Sequence, residues 1–235
     1  MTFDLTQASG RIQAKLELVH PTFRAYSRRI WKSPYLRELY PAYLRTMHAV
    51  VRSAVPLMTA AMQEARAREH SDPLCRDLAP YFEQHIEEER GHDLWLLQDI
   101  EVTGRDPAEA TDQIPSPRVA TMVGAQYYWI RHYHPVALLG HITAIEAYHP
   151  PAGFAQALSE ATGYPQTAFR SIARHAMLDV HHRRDLFDLL DRLPLEPRHE
   201  KIIGLSGLHT IEAGIEVLEE IHAAVVRTPE AETAV

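Results

Sequence analysis

Apolar positions recur every three or four residues along nearly the whole chain, and no stretch keeps the alternation of a half-buried strand. The clearest case is Ser171–Leu193, SIARHAMLDVHHRRDLFDLLDRL, which has no glycine or proline and reads as one helix. Breaker residues divide the rest. A first helix is expected over Thr6–Ile30, broken or kinked at Pro21. A second opens at Ser33, a candidate N-cap, and runs to about Arg68, with Pro41 and Pro56 as bends or interruptions. Its core-facing stripe includes Leu36, Leu39, Tyr40, Leu44 and Met47. The third starts at Ser71-Asp72-Pro73 and stops near Val102, before Gly104. Arg105–Pro117 reads as a loop, Arg118–Tyr148 as a helix interrupted at Pro135, and Ala152–Ala161 as a short helix. After the Ser171–Leu193 helix, a last one covers Glu196–Arg227. The pattern predicts an all-α bundle of about seven helices, a single domain over 1–228 with a flexible tail over 229–235.

Composition narrows the function classes. The 235 residues are 46% apolar and 23% charged, ordinary for a globular protein with a substantial core. A net charge of −7 argues against nucleic acid or an anionic membrane as the main partner. No apolar run approaches the roughly 20 residues that span a bilayer. The N-terminal residues lack the apolar core of a signal peptide, and the single cysteine, Cys75, fits a reducing compartment, so a cytoplasmic location is expected. Fifteen histidines against one cysteine mean that any bound metal is held by histidines and carboxylates.

Three helices carry such donors. His175, Asp179 and His182 lie at i, i+4 and i+7 of one helix and share a face, while His181 points about 100° away. In the third helix His85, Glu88, Glu89 and His92 also share a face, and Glu89 with His92 makes the Glu-x2-His pair used by helical diiron bundles. A run of glutamates is commonly a solvated face, but Ile86, Trp95 and Leu96 flank this one and require partial burial. Glu146 stands among uncharged neighbours, a costly setting for a carboxylate unless it is coordinated or paired with Arg131 or a histidine. His149 forms a second Glu-x2-His with Glu146. His141 reads as a hydrogen-bonded core histidine, and His209 with Glu212 as structural. Mixed nitrogen and oxygen donors from three helices suit two irons better than one structural zinc.

The segments HIEEERGHDLWLLQDI, VGAQYYWIRHYHPVALLGHITAIEAY, HAMLDVHHRRDLFDLLDRLPL and GLSGLHTIE resemble the haem-oxygenase-like diiron oxidases, a group of iron-containing redox enzymes, over roughly residues 75–220. The resemblance implies a haem-oxygenase-like fold and metal ligation by His92, Glu146, His175, Asp179 and His182. For the first ligand Glu89 fits one family pattern. His85 stands where other members carry a glutamate, and Glu88 or His85 are the substitutes.

On this reading Glu89 and His92 hold one iron, His175, Asp179 and His182 mainly the other, and Glu146 bridges. The implied activity is oxidation or oxygenation of an amino acid, amine or fatty acid, with two Fe(II)/Fe(III) ions, dioxygen as co-substrate and an external electron donor. Orienting hydrogen bonds to the histidines are sought from His141, His149 or Asp93. Tyr127, Tyr128, Trp129, Arg131, His132 and His134 are candidates for pocket lining, Arg131 as a carboxylate clamp. The runner-up is a metal-free enzyme of thiaminase II or pyrroloquinoline quinone synthase type; a third reading is a helical interaction protein. A bundle so rich in apolar stripes also makes a homodimer plausible.

Overall fold

A computed structural model describes residues 3–147 and 150–226. Tyr148, His149 and the expected tail therefore lie outside the described residues. Each long segment of the pattern is present, but four of them are split once. The first becomes α1 (Ala8–Leu16) and α2 (His20–Trp31), with Pro21 at the start of α2, where its missing N–H costs nothing. The second divides into α3 (Leu36–Val51) and α4 (Ala54–Arg68). The break falls at Arg52 because Pro56 has no N–H for the Arg52 carbonyl and its ring would clash with it. Pro41 stays inside α3, and the Arg37 carbonyl that it leaves without a helical donor accepts the Tyr164 hydroxyl at 3.3 Å.

The third segment becomes α5 (Pro73–Glu89) and α6 (His92–Val102). Asp72 caps α5 by accepting the Leu74 N–H at 3.0 Å. Gly91 between the two helices has φ +83°, a conformation that an L side chain resists, so the joint depends on glycine. The expected loop after Gly104 contains one helical turn, α7 (Ala108–Thr111). The fourth segment becomes α8 (Pro117–His132) and α9 (Leu138–Glu146), separated by a 3₁₀ turn at Pro135–Ala137. Then come α10 (Phe154–Thr162), α11 (Arg170–Arg192) and α12 (Pro197–Val225), with no strand among the described residues. The seven expected segments are thus seven rods, four of them jointed.

α12 runs through the middle and packs on α1, α2, α3, α8 and α9. Its approach to α9 is set by two glycines. A Cβ on Gly140 would lie 1.9 Å from the Ile203 carbonyl oxygen, and one on Gly207 would lie 2.7 Å from a Leu16 methyl. Three apolar clusters fill the space between the rods. One joins α1, α4, α5, α9, α11 and α12, a second joins α3, α6, α10 and α11, and a third joins α2, α3, α8 and α12. Each fully buried leucine or isoleucine contributes about 2 kcal/mol.

Two rods pass from the first cluster to the second. The α5–α6 rod does so between Ile86 and Leu96, and α11 between Leu186 and Ile172. The polar residues that interrupt the apolar stripes at those crossings face one another.

Candidate metal centre

At this junction the helices bring together two groups of donor atoms. One nitrogen or carboxylate oxygen from each of His85, Glu89, Glu146 and His182 lies within 4.8 Å of the others; Glu89, His92 and His175 form a second such group. Glu89 belongs to both. It ends α5, with His85 one turn before it and His92 just beyond the Gly91 joint; Glu146 ends α9; His175 and His182 come from α11.

Several donor atoms are buried without hydrogen bonds: His92 Nδ1, His182 Nδ1 and Glu146 Oε2. His92 Nδ1 lies 3.0 Å from Glu89 Oε2 but lacks hydrogen-bond alignment, and His182 Nδ1 is 3.6 Å from Glu89 Oε1. Such buried orphans are costly, and cations seated in the two groups would satisfy all three. The other Glu146 oxygen meets His85 Nε2 at 2.9 Å. Glu88, at the rim, comes within 3.7 Å of His182 Nε2.

His175 is oriented from behind. Its Nδ1 lies 2.8 Å from the Ser171 carbonyl, which can only accept, so the proton sits on Nδ1 and Nε2 keeps a free lone pair. The Ser171 end of α11 is in turn held by Asp99, wholly buried on α6 seven residues after His92. Its carboxylate accepts the Arg170 and Ser171 backbone N–H groups and the Ser171 hydroxyl at 2.6–3.2 Å. The His92 ring stacks on Trp95 at a centroid distance of 3.9 Å.

Charge is unevenly accommodated here. Burial would lower the His85 pKa, but the Glu146 carboxylate, with Glu89 and Glu88, outweighs it and raises the imidazole above its ordinary value. Burial would raise Glu89, and the neighbouring His92, His85 and His175 more than offset that. Asp179 has less such help, from His85 alone. Burial, then the Glu146 and Glu89 carboxylates, push it up to about 8.

Of the six sequence-predicted ligands, five fall in the two donor groups, and Asp179 lies beside them in neither. The partition differs from the expected one: Glu89 rather than Glu146 is shared, His175 goes with His92, and His182 goes with His85 and Glu146. The physical reason is helix rise. Seven residues separate His175 from His182 by about 10 Å along α11, too far for one ion with metal–ligand bonds near 2 Å. His85 enters the donor set by the same rule, being one turn from Glu89 on the same face.

The orienting group for His175 is a backbone carbonyl rather than His141, His149 or Asp93. His141 bonds Thr210 Oγ1 at 2.9 Å in the core, where burial lowers its pKa to about 4; His149 lies outside the described residues. His209 approaches the Thr121 carbonyl at 3.4 Å, and Glu212 is exposed. The cleft that contains His85 and Glu88 is lined by residues of α5 and α11 and by none of the Tyr127–His134 group. Tyr127 and Trp129 pack on the first cluster, while Tyr128, Arg131 and His132 are exposed.

A third donor trio, Asp72, Cys75 and His134, has a different character. His134 Nδ1 accepts the Val136 N–H at 3.0 Å, which puts the ring proton on Nε2, donated to Asp72 at 2.8 Å. Burial also pushes the Cys75 thiol up to about 11. The trio is a pin between α5 and the α8–α9 joint, with no free imidazole lone pair and no thiolate on offer to a metal.

Residues 42–207 match the family described as iron-containing redox enzymes. Among solved structures, a domain of unknown function with a heme oxygenase-like fold from Shewanella denitrificans superimposes with a TM-score of 0.79 at 15% identity, covering 95% of this chain and 94% of that one. A TenA homolog from Pseudomonas syringae pv. tomato superimposes with a TM-score of 0.65 at 12% identity, covering 92% and 93%. At these identities the likeness is one of fold: all-α and haem-oxygenase-like. No curated protein matches the sequence.

Proposed function

The chain belongs to the family of iron-containing redox enzymes, and on that premise we propose a non-haem diiron oxidase or oxygenase that uses dioxygen to oxidise a small molecule. What carries the reading is Glu89, one carboxylate common to two donor groups whose remaining members include three buried atoms without hydrogen bonds. Four imidazoles and two carboxylates, with no thiolate, suit iron in both its ferrous and ferric states. Glu89 would serve both positions, with His92 and His175 completing one and His85, Glu146 and His182 the other. Asp179 is the adjacent carboxylate available to either. When bound, the iron pair supplies the redox chemistry that activates dioxygen, with electrons returned by an external donor.

The chain's own residues shape that chemistry. The Ser171 carbonyl keeps the His175 proton on Nδ1, so Nε2 is the nitrogen that would hold iron. Trp95 covers the His92 ring, and two apolar clusters flank the junction on either side. No helix among the described residues is long and apolar enough to cross a membrane.

The test is anaerobic Fe(II) loading, with iron quantified before and after a dioxygen pulse in an optical cell. About two irons per chain, as the two donor groups imply, and a transient visible band support the reading; no iron uptake sinks it. One observation favours a second reading. The His85–Glu146 pair at 2.9 Å is already a hydrogen-bonded acid and base, as a metal-free enzyme of thiaminase II or pyrroloquinoline quinone synthase type would use. That reading predicts full activity after exhaustive chelation.

A further inference from the structure

α5 and α11 run antiparallel past the donor groups, and a cleft of about 350 Å³ lies between them. Its inner wall contains His85 and Glu88, so a molecule in the cleft touches one donor residue and the rim of the centre. From there the wall continues outward along both helices. Asp77 is eight residues before His85, and Arg192 ten residues after His182, so the cleft extends on the order of 12–15 Å from the donors.

The wall is charged rather than greasy. Asp77, Glu88, Asp185 and Asp188 supply four carboxylates against the single guanidinium of Arg192 and the His85 imidazole, so negative groups outnumber positive ones. Glu88 takes a hydrogen bond from Gln84 at 2.9 Å, and Asp185 lies 3.4 Å from Arg184 Nε. The side chains of Asp77, Asp188 and Arg192 have no hydrogen bond or ion pair among the described residues. Tyr81, midway along the wall, has a buried hydroxyl with no hydrogen-bond partner, a polar group left for a ligand to satisfy.

We propose that this cleft is the substrate site and that it takes an extended, cationic amine, lying along α5 and α11 with one end against His85 and Glu88. The assignment rests on the metal-centre reading for its chemistry but not for its binding. A fatty acid or other lone carboxylate meets like charge and too little apolar wall. An ammonium group meets carboxylates on both helices, and the acidic mouth draws it in.

The test compares three probes of matched length, hexylamine, 6-aminohexanoate and hexanoate, by calorimetric titration at low salt on the metal-free and the Co(II)-loaded protein. Hexylamine is expected to bind about tenfold more tightly than hexanoate, a ratio that shrinks as salt screens the charges. Asp185→Asn with Asp188→Asn, both on the outer side of α11, should bring the ratio to within about twofold. Asp77→Asn, on the facing helix, should reduce it in a protein where α11 is untouched. In the Co(II) protein the bound hexylamine protons should show paramagnetic broadening. Hexanoate binding as tightly as hexylamine, a preference that survives the aspartate changes, or an unbroadened probe in a protein that holds Co(II), each overturns the proposal. A protein that takes up no Co(II) instead sinks the metal reading, and the metal-free titration still judges the cleft.

Discussion

Asp99 on α6 accepts the Ser171 backbone N–H at 2.8 Å and the Ser171 hydroxyl at 2.6 Å, and so caps α11 from a neighbouring helix. One buried carboxylate thereby fixes α6, which begins with His92, against α11, which carries His175 four residues past Ser171. Burial raises its pKa, opposed by the Ser171 and Arg170 bonds, so the capping role costs desolvation. Asp99→Ala should lower stability by about 2–3 kcal/mol, the size of a lost cap plus an unsatisfied buried hydroxyl. A cap with no bearing on the centre would change only the melting temperature. A positioning role also alters the His175 imidazole signals in ¹⁵N NMR of the metal-free protein, and Asp99→Asn should restore part of both.

Gly140→Ala tests how tightly α9 is held against α12. The added methyl would sit 1.9 Å from the Ile203 carbonyl oxygen and 2.8 Å from the Gly207 nitrogen, both backbone atoms that cannot swing aside. The helices must part, at a cost of about 3 kcal/mol or more, measured by urea unfolding. Gly124→Ala, where nothing lies within 4 Å, is the control and should be neutral or stabilising.

Much of this was legible in the sequence. The helical rods follow from spacing, and the α5 start from Asp72-Pro73. The joints were harder to place. Pro21 and Pro135 marked two of them, and Pro56 marked a third only through the carbonyl four residues earlier. Gly91 looked unremarkable until its positive φ was known. Donor residues could be named from helical faces, but not shared out between ions, because a face records angle and ignores rise. His175 and His182 point the same way and are still two turns apart. Asp99 was invisible because its partners lie 71 and 72 residues away. The cleft between α5 and α11 went unseen for a related reason: the Tyr127–His134 aromatics are conspicuous in sequence, whereas Asp77 and Arg192 come to line one cleft only in space.

His141 offers a pH test remote from the donors. It is buried against Thr210, and burial, with a smaller effect of His209 on α12, lowers its pKa from 6.5 to about 4. The folded state therefore resists protonation more than the unfolded chain does. The stability this provides is complete above pH 6.5 and is lost as pH falls through 4, on the order of 3 kcal/mol in all. In His141→Asn that loss disappears, so the gap in unfolding free energy between wild type and variant should narrow from pH 7.5 to pH 4.5. Curves that stay parallel would refute the assignment.

Asp179 is buried near the Glu146 and Glu89 carboxylates, which His85 offsets only in part, a price in stability that a bound cation would return. Asp179→Asn removes the carboxyl whose ionisation is penalised, at constant shape. The metal-free variant should be more stable than wild type by about 1 kcal/mol, the usual gain when a strained site is relaxed. Its stabilisation by added Fe(II) should be smaller than that of wild type. Thermal melts with and without metal decide the matter, and a variant less stable in both conditions would assign Asp179 a purely structural role.

Glu89 is the residue whose loss should be felt at both metal positions, since the two donor groups have no other member in common. Anaerobic Co(II) titrations followed optically should give about two ions per wild-type chain. His175→Ala should lose one, and its spectrum should retain the position built from His85, Glu146 and His182. His182→Ala or Glu146→Ala should lose the other, and Glu146→Ala should abolish dioxygen-dependent turnover. Glu89→Ala should weaken both at once, by about 10-fold or more at each, because each position loses a carboxylate ligand. Glu89→Gln keeps the volume and one carbonyl oxygen, so a fold that merely needed the side chain would be rescued while metal binding would not. If Glu89→Ala removed only one ion, the carboxylate would serve a single site, and Asp179 would become the candidate for the shared ligand.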